Sequence, residues 1–89
     1  MIRQQITIIN KLGLHARAAA KLATTTARFS STIQAGVGGK LVDSKSVMSL
    51  MLLAANQGTE LELVIEGEDE QEAYETILAI INDRFGEDE

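Results

Sequence analysis

The segment TELELVIEG, residues 59 to 67, constrains the fold more tightly than any other stretch of the chain. Leu61, Leu63 and Ile65 alternate with Glu60, Glu62 and Glu66, so a strand here sends its leucines one way and its glutamates the other. One face of the sheet must therefore meet water. The helices encoded elsewhere can cover only the opposite face, which predicts a two-layer α+β sandwich.

The remaining segments fit that plan. QQITIIN is short and β-branched and reads as a strand ending near Asn10. Helix is expected from Ala16 to about Ala27, where Ala19, Leu22, Ala23 and Thr26 recur at three-four spacing. Arg17, Lys21 and Arg28 fall on a second, wet stripe. STIQAGVGGKLVD gives two short strands joined through Gly38-Gly39, a dipeptide that supplies the positive φ of a tight hairpin. In DSKSVMSLMLLAANQG, Ser46 is a good N-cap for a short helix with Val47, Leu50, Leu53 and Ala54 facing inward and Gly58 helping to end it. A last helix starts near Glu68-Asp69 and carries Tyr74, Leu78, Ile81 and Phe85, with Ala73, Ile77 and Ile80 alongside. The order is β-α-β-β-α-β-α. The closing GEDE reads as a frayed acidic tail.

Eighty-nine residues make one domain, 1–89, too small for a deep substrate cavity. There is no cysteine, so neither disulfides nor a zinc cage are available, and no metal or cofactor is expected. No stretch approaches the roughly 20 apolar residues of a membrane span, MIRQQITIIN lacks the apolar run of a signal peptide, and a cytoplasmic location is the expectation. The net charge of −5 conceals an asymmetry. Residues 1–42 carry six basic residues and no acid, whereas residues 43–89 carry all 13 acids against Lys45 and Arg84. Such a split suits anionic ligands or acidic partners. Nucleic acid is a weaker fit, because the bases are dispersed and only three aromatic residues are present.

The one histidine, His15, stands in NKLGLHARAAAKLA where strand gives way to helix. If the helix begins at Ala16, His15 is its cap, and the first backbone amides point outward without acceptors. Those donors and the helix dipole form an anion cradle, and Arg17 adds a planar, permanently charged fork that matches phosphate oxygens. No nearby residue in sequence offers a carboxylate to repel an anion. A neutral imidazole nitrogen there can attack a phosphoryl group and hold it as a phosphoramidate. From the residues alone, an exposed loop histidine is an equal alternative. A hydrolase triad lacks a nucleophile elbow, and an autonomous kinase lacks a nucleotide-binding glycine loop.

NKLGLHARAAAKLA closely resembles the active-site signature of the HPr family, the histidine phosphocarriers of the bacterial phosphoenolpyruvate-dependent phosphotransferase system. The likeness runs through the Gly-rich hairpin, DSKSVMSLMLLAA and QGTELELVIEGEDEQEA. ITIINKLGLHARAAAK and the acidic C-terminus look most like the nitrogen-related branch, NPr. The resemblance implies an open-faced β-sandwich, four antiparallel strands with three helices on one side. It implies that enzyme I phosphorylates His15 at Nδ1, that His15 passes the group to an EIIA-type protein, and that Arg17 and the amides of Ala16 and Arg17 steady it. Ala18 departs from the proline common after the arginine and restores one amide donor. Ser46 matches the serine that HPr kinase/phosphorylase modifies in some members, although its capping role is explanation enough for its presence.

The short second helix has more apolar residues than one buried stripe accommodates. Val47, Met48 and Met51, with Lys21, Arg28 and Arg17, are candidates for docking both donor and acceptor. Methionines filling core gaps are the alternative. The expected function is thus a monomeric phosphocarrier without turnover of its own. A sugar-uptake HPr is the alternative branch, and a regulatory binding module that carries no phosphate is the rival from another class.

Overall fold

A computed structural model describes residues 1–89. Four strands, β1 (Ile2–Thr7), β2 (Thr32–Val37), β3 (Lys40–Asp43) and β4 (Glu60–Glu66), form one antiparallel sheet in the order β1-β4-β2-β3. Three helices, α1 (Ala16–Thr26), α2 (Val47–Leu52) and α3 (Glu70–Asn82), complete the expected open sandwich, followed by a short 3₁₀ turn at Arg84–Gly86. The alternation of β4 does what the sequence requires: Leu61, Leu63 and Ile65 are fully buried, and Glu60 and Glu66 are exposed. On the wet face, Arg3 of β1 pairs with Glu62 at 2.6 Å, next to the register partners Arg3↔Val64 and Gln5↔Glu62. Gly38 and Gly39 both take positive φ, at 62° and 88°, and close the β2–β3 hairpin.

One cluster of 18 buried residues joins the sheet to the helices. From α1 it receives Ala18, Ala19, Leu22 and Ala23, close to the expected stripe, and Arg17, Lys21 and Arg28 are exposed as expected.

Several local expectations are corrected. In α3 the buried line is Ala73, Ile77 and Ile81, while Tyr74 and Leu78 only flank it. Phe85 does reach the core, but from the turn after α3 rather than from a continuing helix. In α2 the inward residues are Leu50 and, less completely, Val47 and Leu53. Ala54 has left the helix with a φ of 54°, is exposed, and hands its core position to Ala55. The helix therefore stops by this left-handed turn, well before Gly58, which instead shapes the approach to β4 with a φ of 90°. Finally, β1 ends at Thr7, and Ile8 continues only as far as hydrogen bonds with Gly58 and Thr59.

Candidate functional site

The loop from β1 to α1 is set by close backbone contact. Gly13 takes a φ of 69°, and a Cβ added there would lie 2.5 Å from the Ala55 carbonyl oxygen. No larger residue fits this approach. The Leu14 amide donates to the same carbonyl at 2.8 Å, and Leu14 is buried, so the next residue is delivered to a fixed place at the surface. That residue is His15.

His15 is the N-cap of α1, with extended backbone (φ −79°, ψ −176°), and its side chain makes no capping hydrogen bond. Its carbonyl accepts from the Ala19 amide at 2.8 Å and begins the helical ladder, while the amides of Ala16, Arg17 and Ala18 donate to no group of the protein. The helix dipole adds partial positive charge at this point. Arg17 is exposed and forms no ion pair. The ring side chain is 30% exposed, neither sealed in the core nor stripped of support. It opens on a shallow cavity of about 680 Å³, whose floor includes Ala16 and Arg17.

The acidic C-terminus is not frayed. It folds back over this cavity, so the expectation of a site without carboxylates is corrected as well. Glu87 Oε2 pairs with His15 Nε2, and its other oxygen accepts from Asn10 Nδ2 at 2.9 Å. An ionised carboxylate can only accept, so Nε2 carries the proton. Glu89 contributes twice at Lys11: its main-chain oxygen accepts the Lys11 amide, and its side-chain carboxylate pairs with Nζ at 3.3 Å. Partial burial pushes the Glu87 carboxyl up, but hydrogen bonds from Asn10 and His15, with the charges of His15 and Arg17, outweigh it and hold the group below its ordinary value.

Asn10 and Glu87 were not evident in the sequence. Asn10 looked like the polar end of a strand, yet it is wholly buried and also donates to the Gly13 carbonyl at 2.8 Å. No signal in the sequence singles it out, because one polar residue beside a turn does not announce burial.

On the neighbouring helix, Ser46 caps α2 as expected, its hydroxyl accepting from the Ser49 amide at 3.3 Å. Met48, Met51 and Leu52 are exposed, which excludes the gap-filling alternative for the methionines. Leu12, in the loop before His15, is also 65% exposed. Val47 is half-buried, Lys21 is exposed on α1, which packs against α2, and Arg28 is exposed in the turn that follows α1.

Residues 2–83 match the family model described as "PTS HPr component phosphorylation site". The chain belongs to the HPr family. Its similarity to the phosphocarrier protein HPr of Cupriavidus necator is 49% identity over 89 residues, covering all of both chains. The crystal structure of an HPr from Thermoanaerobacter tengcongensis superimposes with a TM-score of 0.95 at 42% identity, again covering both chains completely. A crystal structure of an HPr dimer from the same organism gives a TM-score of 0.78, covering 98% of this chain and all of that one. This is a phosphocarrier of the phosphotransferase system, a component of a transfer relay. No helix is long and apolar enough to cross a membrane.

Proposed function

We propose that this HPr-family chain accepts a phosphoryl group on His15 Nδ1 from enzyme I, itself charged by phosphoenolpyruvate, and passes it to a histidine of an EIIA-type protein. One observation carries the reading: a partly exposed ring stands at an uncapped helix start whose first three amides have no acceptor. With Nε2 occupied by Glu87, the lone pair of Nδ1 is the one available for attack. It bonds to phosphorus as the bond to the donor breaks, and the electron pair of that bond leaves with the donor. Arg17 and the amides of Ala16, Arg17 and Ala18 neutralise the phosphoryl oxygens. The cavity is open, so the next acceptor can approach phosphorus from the side opposite Nδ1.

Leu12, Val47, Met48 and Met51, flanked by Lys21 and Arg28, form the docking face for donor and acceptor in this reading. Met48→Glu should raise the KM for transfer roughly tenfold with the fold intact, as the loss of a central apolar contact does. Unchanged transfer would reject the face. A phosphate placed on Ser46 by an HPr kinase/phosphorylase would lie beside Val47, Met48 and Met51 and weaken the same docking.

We assign the protein to the nitrogen-related branch, on ITIINKLGLHARAAAK and its acidic C-terminus, and take it to act as a cytoplasmic monomer. Transfer to a purified nitrogen-related EIIA in preference to a sugar-specific one tests the branch. The chemistry is tested by incubation with phosphoenolpyruvate and enzyme I. The wild type should acquire an acid-labile, base-stable phosphate and His15→Ala should not; an unlabelled wild type would overturn the reading in favour of a binding module.

A further inference from the structure

The C-terminal segment is held over His15 by more than chance proximity. Arg84, Phe85 and Gly86 take successive φ values of 55°, 54° and 79°. Two of these are left-handed conformations that ordinary residues adopt only where their surroundings impose them. Phe85 supplies that imposition, because its ring is anchored in the core. The turn reverses the chain and delivers Glu87 to the ring. Glu87 is then fixed from the other side by Asn10 Nδ2, and the segment is closed off by the paired contacts of Glu89 with Lys11. The Glu87 side chain is only 12% exposed. Asn10 is itself buried, divides its amide group between Glu87 and the Gly13 carbonyl, and leaves Oδ1 without a partner. A buried polar residue arranged in this way serves the two groups it joins, the histidine loop and the tail.

We propose that Glu87 is a positioning residue for phosphoryl transfer: its carboxylate holds His15 Nε2–H, presents Nδ1 as the attacking atom, and balances the charge that the ring gains. The proposal rests on the phosphoacceptor reading of His15. When neutral imidazole, protonated at Nε2, donates its Nδ1 lone pair to phosphorus, the ring becomes cationic and the departing donor keeps the electron pair of the broken bond. No proton needs to move in that step. Positive charge develops across the ring, and Nε2–H is the hydrogen that carries it toward Glu87. The carboxylate therefore interacts more strongly with the transition state than with the resting ring, as a carboxylate does behind the histidine of a hydrolase triad. The charge of Arg17 adds to the hydrogen bonds from Asn10 and His15 in favouring the ionised carboxylate. The arrangement divides the labour: cations and amides receive the phosphoryl oxygens, and one carboxylate receives the ring.

The experiment compares full-length wild type, Glu87→Gln and Glu87→Ala, with phosphorylated enzyme I as donor and His15→Ala as the blank. Glu87→Ala should lower kcat for transfer roughly tenfold, the usual scale for losing an orienting partner of a histidine, with KM unchanged because the docking face is elsewhere. Glu87→Gln keeps an acceptor but not the charge and should fall between the two. Proton NMR of the imidazole supplies a readout that a merely structural role would not move. The wild type should show a slowly exchanging Nε2–H resonance, retained in Glu87→Gln and lost in Glu87→Ala. Wild-type kcat in Glu87→Ala, or a loss carried by KM alone, would overturn the role of Glu87 and leave His15 as acceptor. Failure of the wild type to label at all would instead remove the phosphoacceptor reading, and the role of Glu87 with it.

Discussion

Helix α1 opens at His15, whose ring gives its first amides nothing, whereas α2 opens at Ser46, whose hydroxyl accepts the Ser49 amide. Helix α3 shows a third arrangement. Asp69 stands at its N-cap but turns its carboxylate across the chain, onto the amides of Ser30 and Ser31 and the Ser31 hydroxyl. The last two serve the fold: one secures a helix, the other ties α3 to the start of β2. The first forgoes the stabilisation that a serine, threonine, aspartate or asparagine would provide at that position. In the phosphoacceptor reading, the start of α1 is left without a cap for the phosphoryl group, and the residue standing there is the only histidine.

The comparison can be broken first at His15. His15→Ser should eliminate phosphate labelling entirely, yet be more stable than His15→Ala by about 1 kcal/mol, because serine caps the free amides. Equal stability of the two variants in urea melts would mean that those amides were never in need of a partner. Next in size, Arg17→Ala should slow phosphoryl transfer by about 10²-fold, the scale of losing one stabilising donor, with stability changed by less than about 0.5 kcal/mol. Rapid transfer in that variant would move the cradle away from α1. At the capped helix the balance reverses. Ser46→Ala should cost roughly 0.5–2 kcal/mol in denaturant melts and leave His15 labelling as it was.

The smallest effect is expected at Asp69. The Ser31 hydroxyl first, then the Ser30 amide, hold its carboxyl at about 2, below the ordinary 3.8. A carboxyl depressed in the folded state contributes stability that is complete above the unfolded value and is lost as pH falls toward the folded one. Thermal melts should therefore show the wild type weakening between about pH 3.8 and 2, with a shallower slope in Asp69→Asn. Identical slopes would mean that Asp69 does not bind these donors in solution.

The same contrast accounts for what the sequence disclosed. The strict alternation in β4, the Gly38-Gly39 turn and the serine before Val47 are local rules, and each is obeyed locally. His15 and Arg17 were legible because a helix start is also a local event. The closing turn was not. Arg84 and Phe85 carry no signal for left-handed backbone, and their conformation follows from where the core accepts Phe85. Without that turn, four terminal residues rich in acid look like a solvated tail, and the partnership of Glu87 with Asn10 and His15 spans more than 70 positions of sequence. The register of α3 was missed for a related reason. Tyr74 and Leu78 are apolar enough to claim the core, and only packing against α1, β1 and β4 selects Ala73, Ile77 and Ile81.

The most direct test of an open helix start that receives phosphate is the amide spectrum of the uniformly ¹⁵N-labelled protein before and after charging by enzyme I and phosphoenolpyruvate. The amide protons of Ala16, Arg17 and Ala18 should move downfield together as they acquire an acceptor, while the capped Ser49 amide stays in place. Phosphorylation of His15 with those three amides unmoved would contradict the account.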